Sequence, residues 1–312
     1  MLSRLSWLSR HLSRPIMTTP QNTRFDKPIR TSACLIIGDE VLNGKTVDTN
    51  SGCFAKFCFD LGVEMKRVEV IADDEGEIVE AVRRMSKNYD FVVTSGGIGP
   101  THDDITYPSI AKAFNLPLTL HNETWTRMRK LSKSSKTNPP FDWETPSPML
   151  TAKQRMALLP TGPGVRNVYT SPDLWVPICI VDNVHILPGI PRVFRQFLDG
   201  LRPFLNVDSH NKQTRILIST PMKESQIAGF LTELQEKVQQ RGVKVGSYPR
   251  WGKQRNTVTL TGPDEEYIEG LVDEVEKGVG GLRVSREGED DEQGEPEGTE
   301  EVKTTAKDEV KA

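Results

Sequence analysis

The sequence predicts an α/β fold, with mostly parallel strands covered by helices on both faces, followed by a small α+β unit. Three observations carry this reading. Apolar runs and helical patterns trade places three times between residues 32 and 116. The runs "SACLIIG" and "DFVVTS" are continuously apolar, as strands buried on both faces must be. Beyond Asn206 the order changes to strand, helix, strand, strand, helix.

"SACLIIG" (32–38) is the first strand. Asp48 and Thr49 are cap candidates for a helix whose Phe54, Phe57, Cys58 and Leu61 recur at helical spacing until Gly62 stops it. "VEMKRVEVIA" (63–72) alternates like a strand, and "DDEGEIVEAVRRMSKN" (73–88) sets Ile78, Val79, Val82 and Met85 on one helical face. "DFVVTS" (90–95) is the third strand and "PSIAKAFNL" (108–116) the next helix. From 117 to 155 the pattern implies a helix near 122–132, a loop through a basic, Ser-rich stretch, and a short helix around Ala152. "MALLP" (156–160), "VPICIV" and "VHILP" supply strands, the last two turned by Asp182 and Asn183. "PRVFRQFLDGL" (191–201) is a helix with Pro191 near its start. The α+β unit reads as "TRILIST", a helix over 222–240, "VKVGSYPRW", "NTVTLTGP" and a helix over 264–278. The expected domain limits are 31–206 and 210–283.

The ends differ from the middle. Residues 1–25 hold Arg4, Arg10, Arg14 and Arg24 and no acid, with Leu2, Leu5, Leu8, Leu12 and Ile16 on one face of a helix at about 100° per residue. This is the make-up of a mitochondrial transit peptide; a disordered extension is the alternative. The expected location is the mitochondrial matrix, with a shorter cytosolic form starting at Met17. Residues 285–312 form an acidic tail, with eleven acids against three lysines from Glu287 onward, too polar to order itself.

Composition excludes several classes. The chain's net charge of −3 combines −8 on residues 287–312 with +5 on the rest, of which four are the leader arginines, so the folded part is close to neutral and offers no footprint for nucleic acid. No apolar run approaches the roughly 18 residues of a spanning helix. Cys34, Cys53, Cys58 and Cys179 form no C-x-x-C pair and lie in apolar segments, as buried thiols do.

Three polar clusters follow predicted strands: Gly38-Asp39-Glu40, Asp73-Asp74, and Ser95-Gly96-Gly97-Ile98-Gly99-Pro100-Thr101-His102-Asp103-Asp104. In a doubly wound sheet, ligands bind beyond the carboxyl ends of the strands, so the clusters should share one rim. Glycines let consecutive amides approach phosphate oxygens. Carboxylates beside a phosphate require a hard cation between them, which makes Asp73, Asp103 and Asp104 the expected ligands of Mg²⁺ or a similar divalent ion, with Asp74 beside them. Each cluster alone also reads as a tight turn, a helix cap or an acidic first turn. His102 is a proton carrier or a hydrogen-bonding prop.

"IIGDEVLNGKTVDTNS", "VIADDEGEI", "TSGGIGPTHDDIT" and "LPGIPRVFRQF" resemble the motifs of the MoaB/MogA molybdopterin-binding fold and its CinA-like branch. With "KVGSYPRWGKQRNTVTLTG", they are most similar to the molybdopterin-binding-like domain of eukaryotic FAD synthases. The resemblance covers residues 31–282 and implies a three-layer α/β/α sandwich, assembly as a homo-oligomer, and metal-assisted hydrolysis of a nucleotide diphosphate such as FAD. It places Asp39, Asp74, Gly97, Gly99, Thr101, Asp103 and Asp104 around the ligand, with Gly189 and Pro191 closing a wall and Asp74, Asp103 and Asp104 as the catalytic set. The stretch 160–177 departs from the bacterial pattern, and neither a CinA deamidase domain nor an FAD-synthesis domain is expected. A binding module for a pterin or adenylate, or a protein of molybdenum-cofactor biosynthesis, is the alternative.

Overall fold

The computed structural model describes residues 27–132, 141–208, 212–250, 252–253 and 255–290, so the leader, the last part of the acidic tail and most of the basic, Ser-rich stretch lie outside the described residues. The chain divides into two compact units, 1–212 and 213–312.

The first unit is built on β1 (Thr31–Ile37), which pairs in parallel with β2 (Glu64–Ile71) on one side and β3 (Phe91–Ser95) on the other. β3 continues in parallel to β8 (Val184–Leu187). β7 (Ile178–Val181) and β6 (Val165–Val168) then complete the order β2-β1-β3-β8-β7-β6, each antiparallel to its predecessor. The strand order reverses at β1, because β2 and β3 lie on opposite sides of it.

The apolar runs are continuous because both faces are covered. Cys34 and Ile36 of β1, Phe91 and Val93 of β3, and Ile178 and Ile180 of β7 face one core with α2 (Asn50–Asp60) and α7 (Pro191–Leu201). Ala33, Leu35 and Ile37, Val92, and Cys179 and Val181 face a second core with α3 (Glu75–Asn88) and α4 (Thr106–Ala113). Alternating side chains thus fill both layers, as the period of two dictates. The three-layer α/β/α sandwich with a mostly parallel sheet is the observed fold.

Several local details differ from the sequence reading. Asp48, not Thr49, caps α2: its Oδ1 accepts from the amides of Asn50 (2.8 Å) and Ser51 (3.1 Å), while Thr49 makes no side-chain cap bond. β5 (Leu158–Pro160) stays out of the main sheet and pairs with β4 (Leu118–Leu120) in a two-stranded antiparallel ribbon. α5 (Asn122–Leu131) and α6 (Pro148–Arg155) flank residues 133–140, and the short α1 (Asp39–Leu42) follows β1. The turn between β7 and β8 uses Asp182 at φ 55°. The buried Asn183 beside it donates to the carbonyls of Ser86 and Tyr89 and accepts from the Ser86 hydroxyl.

The second unit is a four-stranded antiparallel sheet in the order β10-β11-β9-β12, with β9 Thr214–Thr220, β10 Lys244–Tyr248, β11 Asn256–Gly262 and β12 Leu282–Val284. The edge strand β12 was not expected. α8 (Glu224–Val238) covers the sheet, and the predicted helix over 264–278 is two helices, α9 (Glu265–Glu269) and α10 (Val272–Val279), interrupted at Gly270.

Candidate functional site

The carboxyl ends of the four parallel strands carry the polar clusters. Gly38 leaves β1 and donates its amide to the carbonyl of Ile71 at the end of β2 (3.1 Å). Gly96 leaves β3 and donates to Leu187 at the end of β8 (3.2 Å). Gly96 has φ 113°, and a Cβ there would stand 2.1 Å from the Ile37 carbonyl oxygen, so no other residue fits between β3 and β1. Gly97 has φ 65°, and its missing Cβ leaves room for the Thr106 hydroxyl, which donates to the Gly96 carbonyl (2.9 Å).

One residue that the sequence reading left out holds this arrangement together. Asn50, at the start of α2, is 6% exposed and donates from Nδ2 both to Ser95 Oγ (2.9 Å) and to the Gly189 carbonyl (2.8 Å). It joins the end of β3 to the turn between β8 and α7, where Pro191 occupies the first helical turn. The only signal in the sequence was an amide at a position the helical period makes apolar.

The acidic residues divide into two sets. Asp39 and Asp73 exchange backbone and carboxylate: the Asp39 amide donates to Asp73 Oδ2 (3.0 Å), and the Asp73 amide donates to Asp39 Oδ1 (3.4 Å). Burial pushes the Asp73 carboxyl above its ordinary range; the bond from the Asp39 amide opposes this, and the charges of Asp39, Glu40 and Asp103 add to it. Asp103 is held below its ordinary range, chiefly by the Thr101 hydroxyl, and His102 is 97% exposed.

The second set is turned to the protein. Asp104 accepts from the Gly99 amide (2.7 Å), the Thr101 amide (2.8 Å) and the Thr101 hydroxyl (2.5 Å), which closes the glycine loop on itself. Asp74 is the N-cap of α3 and accepts from the Glu77 amide (2.9 Å). The expected cation ligands Asp73, Asp103 and Asp104 are not gathered into one cage: among the described residues no three His, Cys, Asp or Glu side chains are placed to hold a metal ion. The physical reason is that Asp104 and Asp74 are satisfied by backbone N–H groups of their own turns. Asp74 is a helix cap, whereas Asp104 closes its own loop and caps no helix, since the N-cap of α4 is Ile105 and makes no side-chain bond.

The expected phosphate cradle is also narrower. The amides of Gly96 and Gly99 have protein acceptors, whereas those of Gly97 and Ile98 have none among the described residues. Pro100 supplies no amide. A further contact came from a helix that sequence alone did not link to the loop: Arg155 Nη2, on α6, donates to the carbonyls of His102 and Asp104, both at 3.1 Å.

Residues 33–207 match the family described as "Probable molybdopterin binding domain", and residues 214–285 match "FAD synthase, middle domain". A "Probable FAD synthase" of Caenorhabditis elegans is 31% identical over 256 residues, which is 78% of this chain and 49% of the relative. A "CinA-like protein" of Geobacter metallireducens is 29% identical over 270 residues, or 83% of this chain and 62% of the relative. The chain spans about half the length of the FAD synthase relatives it matches. A solved structure of a CinA protein of unknown function from Thermoplasma acidophilum aligns with a TM-score of 0.46 at 29% identity, over 56% of this chain and 97% of that one. Since the first match takes in more than half of the chain, the protein belongs to the molybdopterin-binding domain family, with a second unit of the FAD synthase middle-domain kind.

Proposed function

We propose that the chain binds a nucleotide diphosphate at the strand-end rim and hydrolyses it with a divalent cation, FAD to FMN and AMP being the leading reaction. The observation that carries this reading is the Asp39–Asp73 pair standing at the same strand ends as the two unclaimed amides of Gly97 and Ile98. Amides without acceptors attract an anion, and the like-charged carboxylates beside them favour a cation. The family match and the FAD synthase relatives support a flavin nucleotide over other diphosphates.

The residues present do not make a closed metal cage, but they fit a cation that arrives on the substrate. Mg²⁺ keeps several waters and is commonly held by one or two carboxylates plus substrate phosphates. Asp73 and Asp103 would hold it, and it would supply charge neutralisation at the diphosphate and a more acidic water. The Gly97 and Ile98 amides orient the phosphates, and Asp104 keeps the loop in the shape that presents them. Water bonds to one phosphorus, the bond from that phosphorus to the bridging oxygen breaks, the bridging oxygen leaves with the other phosphate, and two protons are released to solvent as both products become monoester dianions.

Purified full chain incubated with FAD and Mg²⁺, followed by chromatography of the products, tests the reading. FMN and AMP should form in equal amounts, and Asp73→Asn with Asp103→Asn should abolish the rate. Equal rates for this double variant and the wild type would sink it. A second reading, a pterin- or adenylate-binding module without turnover, is favoured by the bonds that occupy Asp74 and Asp104. It predicts ligand-dependent thermal stabilisation with no product. The proposed setting is the mitochondrial matrix, as a homo-oligomer; a fluorescent fusion of the full chain, compared with one starting at Met17, tests the location.

A further inference from the structure

Beyond β12 the chain turns back onto the sheet of the second unit. Glu289 Oε2 accepts from the amides of Ser285 (2.5 Å) and Arg286 (3.3 Å) and from the Ser285 hydroxyl (2.7 Å), which closes residues 285–289 into a turn. The closure aims Asp290 at Arg255, and Asp290 Oδ2 stands 2.6 Å from Arg255 Nε. Both side chains are largely covered, 27% of Arg255 and 20% of Asp290 being exposed. Ser285, Arg286, Glu287, Gly288 and Glu289 bring no apolar side chain to the core. The root of the turn is also unpacked: a cavity of about 580 Å³ lies against Val284 and Ser285, with Arg215, Leu217 and Arg283 on its other walls.

Arg255 is built into the fold. Its Nε donates to Ser219 Oγ (2.9 Å) and its Nη2 to the Ser219 carbonyl (3.3 Å), where the end of β9 lies beside the start of β11. A guanidinium fixed and covered in this way needs an anion next to it, because an unpaired charge taken from water is costly. Asp290 meets that need poorly. Arginine–carboxylate pairs favour a fork in which two N–H groups meet two oxygens. Here Oδ2 shares the single Nε proton with Ser219, while Oδ1 is buried with no hydrogen-bond partner. Arg255 Nη1 has no acceptor among the described residues, and neither has the proton of the Ser219 hydroxyl, which is 3% exposed. Unused donors thus line a place that the carboxylate fills without matching.

We infer that Arg255 and Ser219 form a phosphoryl-binding site in the second unit, and that Asp290 occupies it as a built-in competitor. A phosphoryl group brings about two charges and three acceptor oxygens, enough to meet Nη1, Nη2 and the Ser219 hydroxyl together. A carboxylate from outside would repeat the mismatch of Asp290. Entry of the phosphoryl group releases Asp290 and the turn behind it, and no core residue has to move. The inference concerns the second unit alone and does not depend on the strand-end rim.

The experiment is calorimetric titration of the full chain with inorganic phosphate, phenyl phosphate and acetate, at an ionic strength held constant with chloride because salt alone screens ion pairs. Asp290→Ala removes the competitor and leaves the core untouched. A competitor that closes the site in about nine molecules of ten lowers the apparent affinity about ten-fold, so this variant should bind a phosphoryl probe at least about ten-fold tighter than the wild type. Adding Arg255→Gln to Asp290→Ala should abolish the gain. Acetate should bind Asp290→Ala at least about ten-fold more weakly than the phosphoryl probes do. A gain with phenyl phosphate but not inorganic phosphate assigns the site to phosphomonoesters, and an equal gain with both assigns it to the phosphoryl group itself. Equal phosphoryl affinity in the wild type and Asp290→Ala overturns the inference and leaves Asp290 a plain tether. A gain that survives Arg255→Gln, or one that acetate shares in full, overturns it as well. Should the double variant not fold by circular dichroism, Ser219→Ala with Asp290→Ala decides, with a loss of at least about five-fold relative to Asp290→Ala expected. Phosphate held at the glycine loop responds to none of these substitutions, so failure here leaves the proposed function standing, and failure there leaves this site standing.

Discussion

Asp39 and Asp73 clasp each other through reciprocal backbone-to-carboxylate hydrogen bonds, which fastens the loop leaving β1 to the loop leaving β2. The clasp brings negative charges together, and the Asp73 carboxyl is raised by burial and by Asp39, Glu40 and Asp103. A carboxyl raised in the folded state opposes folding when ionised, so its penalty is fully present above its folded pKa and disappears as pH falls through it. Asp73→Asn keeps an acceptor for the Asp39 amide and removes the charge. The variant should be more stable than wild type at pH 7, by less than about 1 kcal/mol because solvent screens the partly exposed group. The gap should close in melts below pH 4, and Mg²⁺ should raise the wild-type melting temperature more than that of the variant.

Gly96→Ala should destabilise by about 3 kcal/mol or more in chemical denaturation, because both φ 113° and the Ile37 carbonyl oppose a Cβ. Gly52 is the internal control. It lies in α2 with nothing within 4 Å of its missing Cβ, and Gly52→Ala should stabilise by roughly 0.5–1 kcal/mol.

Asn50→Ala should cost about 1–3 kcal/mol, as the buried Ser95 hydroxyl and the part-buried Gly189 carbonyl lose their donor. Asn50→Asp should cost more at neutral pH, since a carboxylate would face the Gly189 carbonyl with no donor to offer. Urea denaturation of both variants at pH 7 gives the order.

His185 is buried on β8, its ring edge-on to Phe91 at 4.7 Å, and its Nδ1 donates to the Asn183 carbonyl (3.2 Å). Burial pushes its pKa down to about 4. The unfolded chain, with its histidine near 6.5, therefore takes up a proton before the folded one does. Stability is fully present above about pH 6.5 and falls toward pH 4 by up to about 1.4 kcal/mol per pH unit from this group. Denaturation of His185→Gln across pH 4–7 should lack that part of the slope.

The fold was legible where two faces are buried at once. β1 and β3 read as continuous apolar runs because their alternate side chains enter two cores, and α3 read as a helix because Ile78, Val82 and Met85 share one of them. β5 was legible as a strand but not as half of a separate ribbon, since three residues carry no mark of their partner. α9 and α10 merged in the reading because Gly270 interrupts a helical period without shifting it far. In the site, the glycine string announced a tight loop because positive φ leaves few alternatives. The partners of Asp74 and Asp104 did not follow, because a carboxylate that caps its own turn and one that meets a cation share the same local sequence. Asn50 and Arg155 act across chain separations that no local period records.

The bond from Asn50 to Gly189 joins positions 139 residues apart. Loop closure over such a span comes after local helices and neighbouring strands have formed, so the rim is among the later parts of the unit to assemble. During synthesis, the emerging polypeptide can make β1, β2 and β3 long before the turn that Asn50 grips has left the ribosome. A stalled product ending near residue 160 would carry every glycine of the loop and still lack the wall that shapes it.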